Sequence, residues 1–104
     1  MTPIESARRA FDQDFHVTVL IEELSELQKE LCKFLRHKEE DTALGLSFKQ
    51  RLCAKRIASE IADVKMRIQE IEYIFDLSSE INAESINSIS KFEKTIQEKN
   101  GKKT

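Results

Sequence analysis

Two segments of this chain carry the same apolar pattern, and that pattern favours long helices. Apolar residues recur every three or four positions, which is the repeat of one face of an α-helix. A shift of 37 positions superimposes the first pattern on the second, residue by residue. We therefore predict two long helices with matching apolar stripes. The superimposed pairs are Leu20 and Ile57, Leu24 and Ile61, Leu27 and Val64, Leu31 and Ile68, and Phe34 and Ile71.

Glycine and proline are scarce, which supports an all-α fold. The 104 residues include two Gly and one Pro, and no segment alternates as a strand does. We predict one domain over residues 1–104: a helical bundle with a long antiparallel helix hairpin and a C-terminal helix, completed by homo-oligomerisation. Predicted helices cover about 3–12, 14–38, 48–77 and 83–99, with a connection at 38–46 and a polar break at 78–82.

The prediction of an oligomer comes from the second long helix. Met66, Tyr73, Ile74 and Leu77 fall outside its apolar stripe, so this helix is apolar on more than one side. Such a helix must be covered on several sides, and one chain of this size offers little cover. We expect a second copy of the chain to bury Met66, Tyr73 and Ile74.

Two pairs of acidic residues lie at the same angle around the helix from these apolar stripes. Glu23 and Glu26 lie on the first long helix, Glu60 and Asp63 on the second, and no other two acids are spaced i, i+3. At about 100° per residue each pair lies roughly 60 to 120° from its stripe, on the same side. If the helices pack stripe to stripe, the four carboxylates border the core and repel one another unless a cation holds them. Carboxylates without thiol or imidazole favour Mg²⁺, with Mn²⁺ as a substitute.

Neighbouring charged residues fit phosphate chemistry. Glu22 and Glu30 lie within a turn of the first pair, where either can add a ligand or accept a proton from an attacking water. Lys33 and Arg36 follow one and two turns later, where they can bind phosphate oxygens. The competing interpretation is a solvated charged face, which such residues usually form.

Neither histidine supports the alternative of a di-iron bundle. That site needs Glu-x-x-His, and His16 and His37 have no acid three residues earlier. We assign His16 to the first turn of its helix or a pocket edge, and His37 to a helix C-terminus.

Composition narrows the partners and the compartment. The formal net charge of −2 gives no reason to expect nucleic acid, and no apolar run is long enough for a membrane span. The N-terminus has no signal-peptide pattern and starts a helix, with Thr2 and Glu5 as a capping box. Cys32 and Cys53 are expected to be buried, reduced thiols, which favours a cytoplasmic protein.

The acidic motifs resemble those of a known family. The run Glu22-Glu23-Leu24-Ser25-Glu26-Leu27 followed by Glu60-Ile61-Ala62-Asp63 is similar to the Glu-Glu-x-x-Glu and Glu-x-x-Asp signature of MazG-like nucleotide pyrophosphohydrolases. The resemblance covers residues 13–77, and Lys33 and Arg36 look like positions of small phage-type members. Near the C-terminus, Lys91-Phe92 is followed by Glu93, where the family pattern has Asn.

The resemblance implies an activity and a set of roles. Such enzymes split a nucleoside triphosphate into monophosphate and pyrophosphate, require Mg²⁺ and form dimers or tetramers. By this resemblance Glu23, Glu26, Glu60 and Asp63 hold the metal, Glu22 and Glu23 serve catalysis, and Lys33, Arg36 and Lys91 bind substrate. The alternatives are a catalytically silent helical binding module and a structural oligomer.

Overall fold

The computed structural model describes residues 1–37, 45 and 48–101. Within them it contains four helices and no strand, which confirms the all-α prediction. The predicted connection at 38–46 lies outside the described residues except for Gly45, whose φ of 109° requires a residue without a Cβ. The helices are α1 Pro3–Ala10, α2 Gln13–Arg36, α3 Phe48–Ile74 and α4 Ser78–Gly101.

The first two helices begin at side-chain caps. The Thr2 hydroxyl accepts a hydrogen bond from the Glu5 amide at 3.1 Å, and the Glu5 carboxylate accepts one from the Thr2 amide at 3.1 Å. This is the predicted capping box. Asp12 caps α2 by accepting from the Phe15 amide at 2.8 Å.

The predicted polar break at 78–82 is wrong, because these residues form the first turns of α4. The chain turns earlier, at Asp76, whose φ is 53°. The Leu77 amide donates to the Glu72 carbonyl at 3.0 Å, and the Asp76 amide donates to the Tyr73 carbonyl at 3.4 Å. These two bonds form a Schellman motif with aspartate at the position that glycine usually fills. This helix end could not be predicted from the sequence because no glycine marks it. Aspartate is one of the few other residues that tolerate a left-handed conformation.

Helices α2 and α3 lie side by side in opposite directions. Near one end His16 of α2 meets Glu70 of α3 at 2.8 Å, and near the other Gln50 Nε2 donates to the Phe34 carbonyl at 3.2 Å. We call the line of contact between these two helices the seam. Six described residues are buried, all on α2 and α3. Four are polar, namely His16, Glu30, Gln50 and Glu70, and the other two are Cys53 and Val64.

The expectation of stripe-to-stripe packing holds for one edge of each stripe only: Val64 is buried and Leu27 and Phe34 are half-buried, alongside the polar residues of the seam. The polar residues His16, Glu23 and Glu30 recur every seven positions, so they share one side of α2, and that side lies along the seam. The apolar stripes are left partly open: Leu24 and Leu31 are each 45% exposed. The same holds for Ile61 and Ile68 on α3. Both cysteines are free, as predicted, but only Cys53 is buried.

Helix α1 covers part of α3 that was assigned to a second copy. The Arg8 guanidinium lies 5.5 Å from the centre of the Tyr73 ring, which stays 42% exposed, and Ile74 lines a cleft together with Arg8. Met66 remains 49% exposed. Helix α4 contains no buried residue, and in the part of the chain that the structure describes no helix combines the length and apolar character of a membrane span.

Candidate functional site

Three carboxylates converge across the middle of the seam. Glu23 projects from α2, and Glu60 and Asp63 project from α3 one helical turn apart. One oxygen from each lies within 4.8 Å of the other two. We call these residues the acid trio. Glu23 and Glu60 are half-buried and Asp63 is exposed, so the trio is open to solvent on one side.

The electrostatics of the trio are unfavourable as they stand. Burial raises the pKa of Glu60 above its ordinary value of 4.5, and the negative charges of Glu23 and Asp63 raise it further. The Oε2 atom of Glu60 is buried, and no described residue supplies a hydrogen bond to it. A buried carboxylate oxygen without a hydrogen-bond donor costs free energy, so a positive charge bound next to this atom would stabilise the folded protein.

A divalent cation fits this donor set. The trio offers only carboxylate oxygens, which are the ligands that Mg²⁺ and Mn²⁺ prefer over softer donors. Proteins usually bind Mg²⁺ through one or two carboxylates, and water and substrate oxygens supply the remaining ligands. Because the trio leaves one side open, it can bind a cation and still admit a phosphate group.

The structure distributes the other predicted acids around the trio. Glu26 is exposed and lies outside the group of converging oxygens, although its charge contributes to the raised pKa of Glu60. Glu22 is exposed on α2. Glu30 is buried: its Oε1 accepts a hydrogen bond from Lys33 Nζ at 3.3 Å, and its buried Oε2 has no partner among the described residues. Glu30 is thus a second acid along the seam that is not fully neutralised.

Two of the predicted phosphate-binding cations, Lys33 and Arg36, lie on α2, and the third, Lys91, lies on α4. Lys33 is paired with Glu30, and Arg36 is exposed at the last residue of α2. Lys91 is exposed on α4. Of the three, Lys33 lies nearest in sequence to Glu30 and the trio on α2.

A buried polar network at one end of the seam was not predicted. His16 is 1% exposed. Its Nε2 donates to the Ala7 carbonyl at 3.1 Å, and its Nδ1 lies 2.8 Å from Glu70 Oε2. Arg67 Nη1 donates to the other oxygen of Glu70 at 2.8 Å. The network ties α1, α2 and α3 together.

A sequence signal for this network did exist. His16, Glu23 and Glu30 are spaced by seven, and Asp63 and Glu70 are also spaced by seven. Two helices that carry polar residues at this spacing can align them along one contact. The apolar stripes run through the same segments, so the polar repeat is less evident in the sequence.

Comparison with known proteins gives no relative. No family model, no curated protein and no solved structure matches this chain.

Proposed function

We propose that this protein is a Mg²⁺-dependent nucleoside triphosphate pyrophosphohydrolase, which converts a triphosphate and water into a monophosphate and pyrophosphate. The observation that carries the proposal is the acid trio with the unpartnered, buried Oε2 of Glu60. The resemblance of the motifs around Glu23 and Glu60 to those of MazG-like enzymes selects the reaction. A role in controlling or cleaning the nucleotide pool of the cytoplasm follows from that reaction.

The residues divide into metal ligands and groups that act on substrate. Glu23, Glu60 and Asp63 would hold Mg²⁺, with Glu26 as a further ligand from the same helix as Glu23. When bound, the ion neutralises charge on phosphate oxygens and makes an attacking water more acidic. Glu22, on the adjacent position of α2, accepts the proton of that water.

The cations serve the phosphate chain. Lys33 exchanges its bond with Glu30 for a phosphate oxygen. Arg36 and Lys91 bind the outer phosphates once a second copy brings the helices together. Water attacks phosphorus at the inner bond, the bond between the α and β phosphates breaks, and pyrophosphate leaves.

The products test the reaction. With Mg²⁺ and a panel of nucleoside triphosphates, we expect equal amounts of monophosphate and pyrophosphate and almost no orthophosphate, measured by phosphorus NMR or ion chromatography. Lys33→Ala should weaken substrate binding or turnover and leave Mg²⁺ binding intact. Diphosphate with orthophosphate would place cleavage at the terminal bond and refute the proposal. Mg²⁺ binding without any hydrolysis would favour the silent binding module.

A second copy completes the bundle in this proposal. The exposed stripes of α2 and α3 remain without cover, and α4 carries its own exposed apolar residues, among them Ile86 at 68% and Phe92 at 67% exposure. Apolar surface of this extent marks an interaction site. We therefore infer that the α2–α3 hairpin and α4 of one copy pack against the same elements of another, as a dimer or a pair of dimers.

The assembly is tested by mass in solution. We expect sedimentation at micromolar concentration to give a dimer or tetramer. Ile86→Asp and Phe92→Asp together should shift that mass toward a monomer, because each buries a charge in the proposed interface. Asn87→Asp, at an exposed residue on the opposite side of α4, is the matched control and should leave the mass unchanged. A wild-type monomer at this concentration would contradict the inference.

A further inference from the structure

A cleft of about 510 Å³ opens where α1 ends, α2 begins and α3 ends. Its volume lies in the range of sites that hold small ligands. The function proposed above assigns no role to it. Its lining residues are Arg8, Phe11, Asp12, Gln13, Asp14, His16 and Ile74.

Phe11 brings an aromatic ring to the lining of the cleft, and Phe15 packs against that ring. Phe11 and Phe15 are stacked with ring centres 4.2 Å apart and planes 18° apart, and His16 meets both rings edge-on. Phe11 is nevertheless 50% exposed. An ordered aromatic ring with an open surface is a platform on which a planar ligand stacks, and every nucleobase has such a planar face.

Two carboxylates, Asp12 and Asp14, lie among the residues that line the cleft. Asp12 uses Oδ1 to cap α2, and Asp14 and Gln13 follow in the first turn. Carboxylates accept from exocyclic amino groups, as they do when proteins read cytosine. Keto oxygens at the same place would face carboxylate oxygens and repel them. Arg8 also lines the cleft, and its guanidinium lies 5.5 Å from the centre of the Tyr73 ring.

The cleft lies apart from the acid trio along α2. His16 lines the cleft, and Glu23 lies seven residues further along α2. Seven residues make nearly two turns, so both side chains leave α2 on the same side, about 10 Å apart along the axis. The buried pair of His16 and Glu70 lies between the cleft and the trio, so the cleft is a separate site.

We propose that this cleft binds the base of a nucleotide and selects bases with an exocyclic amino group: cytosine, adenine and guanine, over thymine and uracil. Phe11 stacks on the base, and Asp14 accepts a hydrogen bond from its amino group. The identity of the ligand as a nucleotide rests on the proposed function, whereas the preference among bases rests on the cleft.

Binding of monophosphates in the presence of EDTA tests the cleft without using the acid trio. We expect dCMP or dAMP to perturb the amide signals of Phe11 to His16 in NMR titrations, and to bind at least tenfold more tightly than dTMP. Phe11→Leu should weaken dCMP or dAMP binding about tenfold, because stacking on an aromatic ring is lost. Phe48→Leu is the matched control, since Phe48 is 73% exposed at the start of α3, away from the cleft.

A second variant tests the preference itself. Asp14→Asn replaces an obligate acceptor with a group that also donates, so it should reduce the discrimination against dTMP at least threefold. Equal binding of all monophosphates, or unchanged binding by Phe11→Leu with intact helix content, would overturn the cleft proposal. Pyrophosphate release could persist in that case, so this failure is distinct from failure of the proposed reaction. Loss of pyrophosphate release with selective dCMP binding would refute the reaction and leave the cleft.

Discussion

Glu60→Gln is expected to lower Mg²⁺-dependent pyrophosphate release about 1,000-fold, since a metal ion supplies several kcal/mol of charge stabilisation and each 1.4 kcal/mol is about tenfold in rate. The same variant should raise the thermal midpoint of the metal-free protein, because it removes one charge from a repelling cluster. Calorimetry in EDTA and a pyrophosphate assay measure the two effects on one preparation. Gain of apo stability together with loss of turnover is characteristic of a metal ligand.

The pH dependence of that gain has a definite sign. The pKa of Glu60 is raised in the folded protein by burial and by the charges of Glu23 and Asp63. The contribution of Glu60 to stability is therefore fully present below its unfolded value of 4.5 and is lost as the pH rises through the folded pKa. The stability difference between wild type and Glu60→Gln should be largest at neutral pH and shrink as the pH falls toward 4.5.

Mg²⁺ and a matched variant complete this test. Mg²⁺ at 100 times its dissociation constant stabilises a protein by about 2.7 kcal/mol, and Glu60→Gln should lose most of that gain. Glu23→Gln and Asp63→Asn are expected to behave alike. Glu72→Gln makes the same charge change on α3 outside the trio and should alter neither Mg²⁺ stabilisation nor turnover. Near-normal turnover in the three trio variants would show that the metal site has been misassigned.

How far the sequence could predict this fold depended on which signals are local. Thr2 and Glu5 form their capping box within one turn, so residue types alone revealed it. The convergence of Glu23 with Glu60 and Asp63 was also within reach, because equal phase on two helices constrains where side chains meet. The turn at Asp76 was not, since its left-handed φ is a choice that aspartate permits and does not require.

The polar seam was missed for a different reason. Amphipathic helices bury their apolar stripes in the complete assembly, so a single chain can leave part of a stripe exposed. In one chain the seam holds His16, Glu30 and Glu70, while Leu24 and Leu31 stay open. Burying carboxylates costs free energy, and a chain that does so without a complete apolar core is consistent with a site of function and a partner.

The His16–Glu70 pair carries the largest expected effect on stability. His16 Nδ1 lies 2.8 Å from Glu70 Oε2, and His16 Nε2 lies 3.1 Å from the Ala7 carbonyl, so both ring nitrogens have partners inside the protein. His16→Ala removes one partner and leaves Glu70 buried with only Arg67 beside it. We expect a loss of about 3 kcal/mol in the free energy of unfolding, the usual effect of breaking a buried ion pair. Chemical denaturation monitored by circular dichroism measures it.

A double-mutant cycle separates this pairing from the loss of packing. Glu70→Leu alone leaves His16 without this partner, and His16→Leu alone leaves Glu70 without it. The double variant, His16→Leu with Glu70→Leu, replaces both polar groups by apolar ones. Because the remaining cost of each single change is an unsatisfied buried group, the double variant should lose less stability than the sum of the two single variants, by about 2 kcal/mol. Additive losses would mean that the two side chains contribute through packing alone. The same cycle run with dCMP in EDTA links the pair to the cleft, since His16 forms part of its lining and a displaced α1 would carry Phe11 away from it.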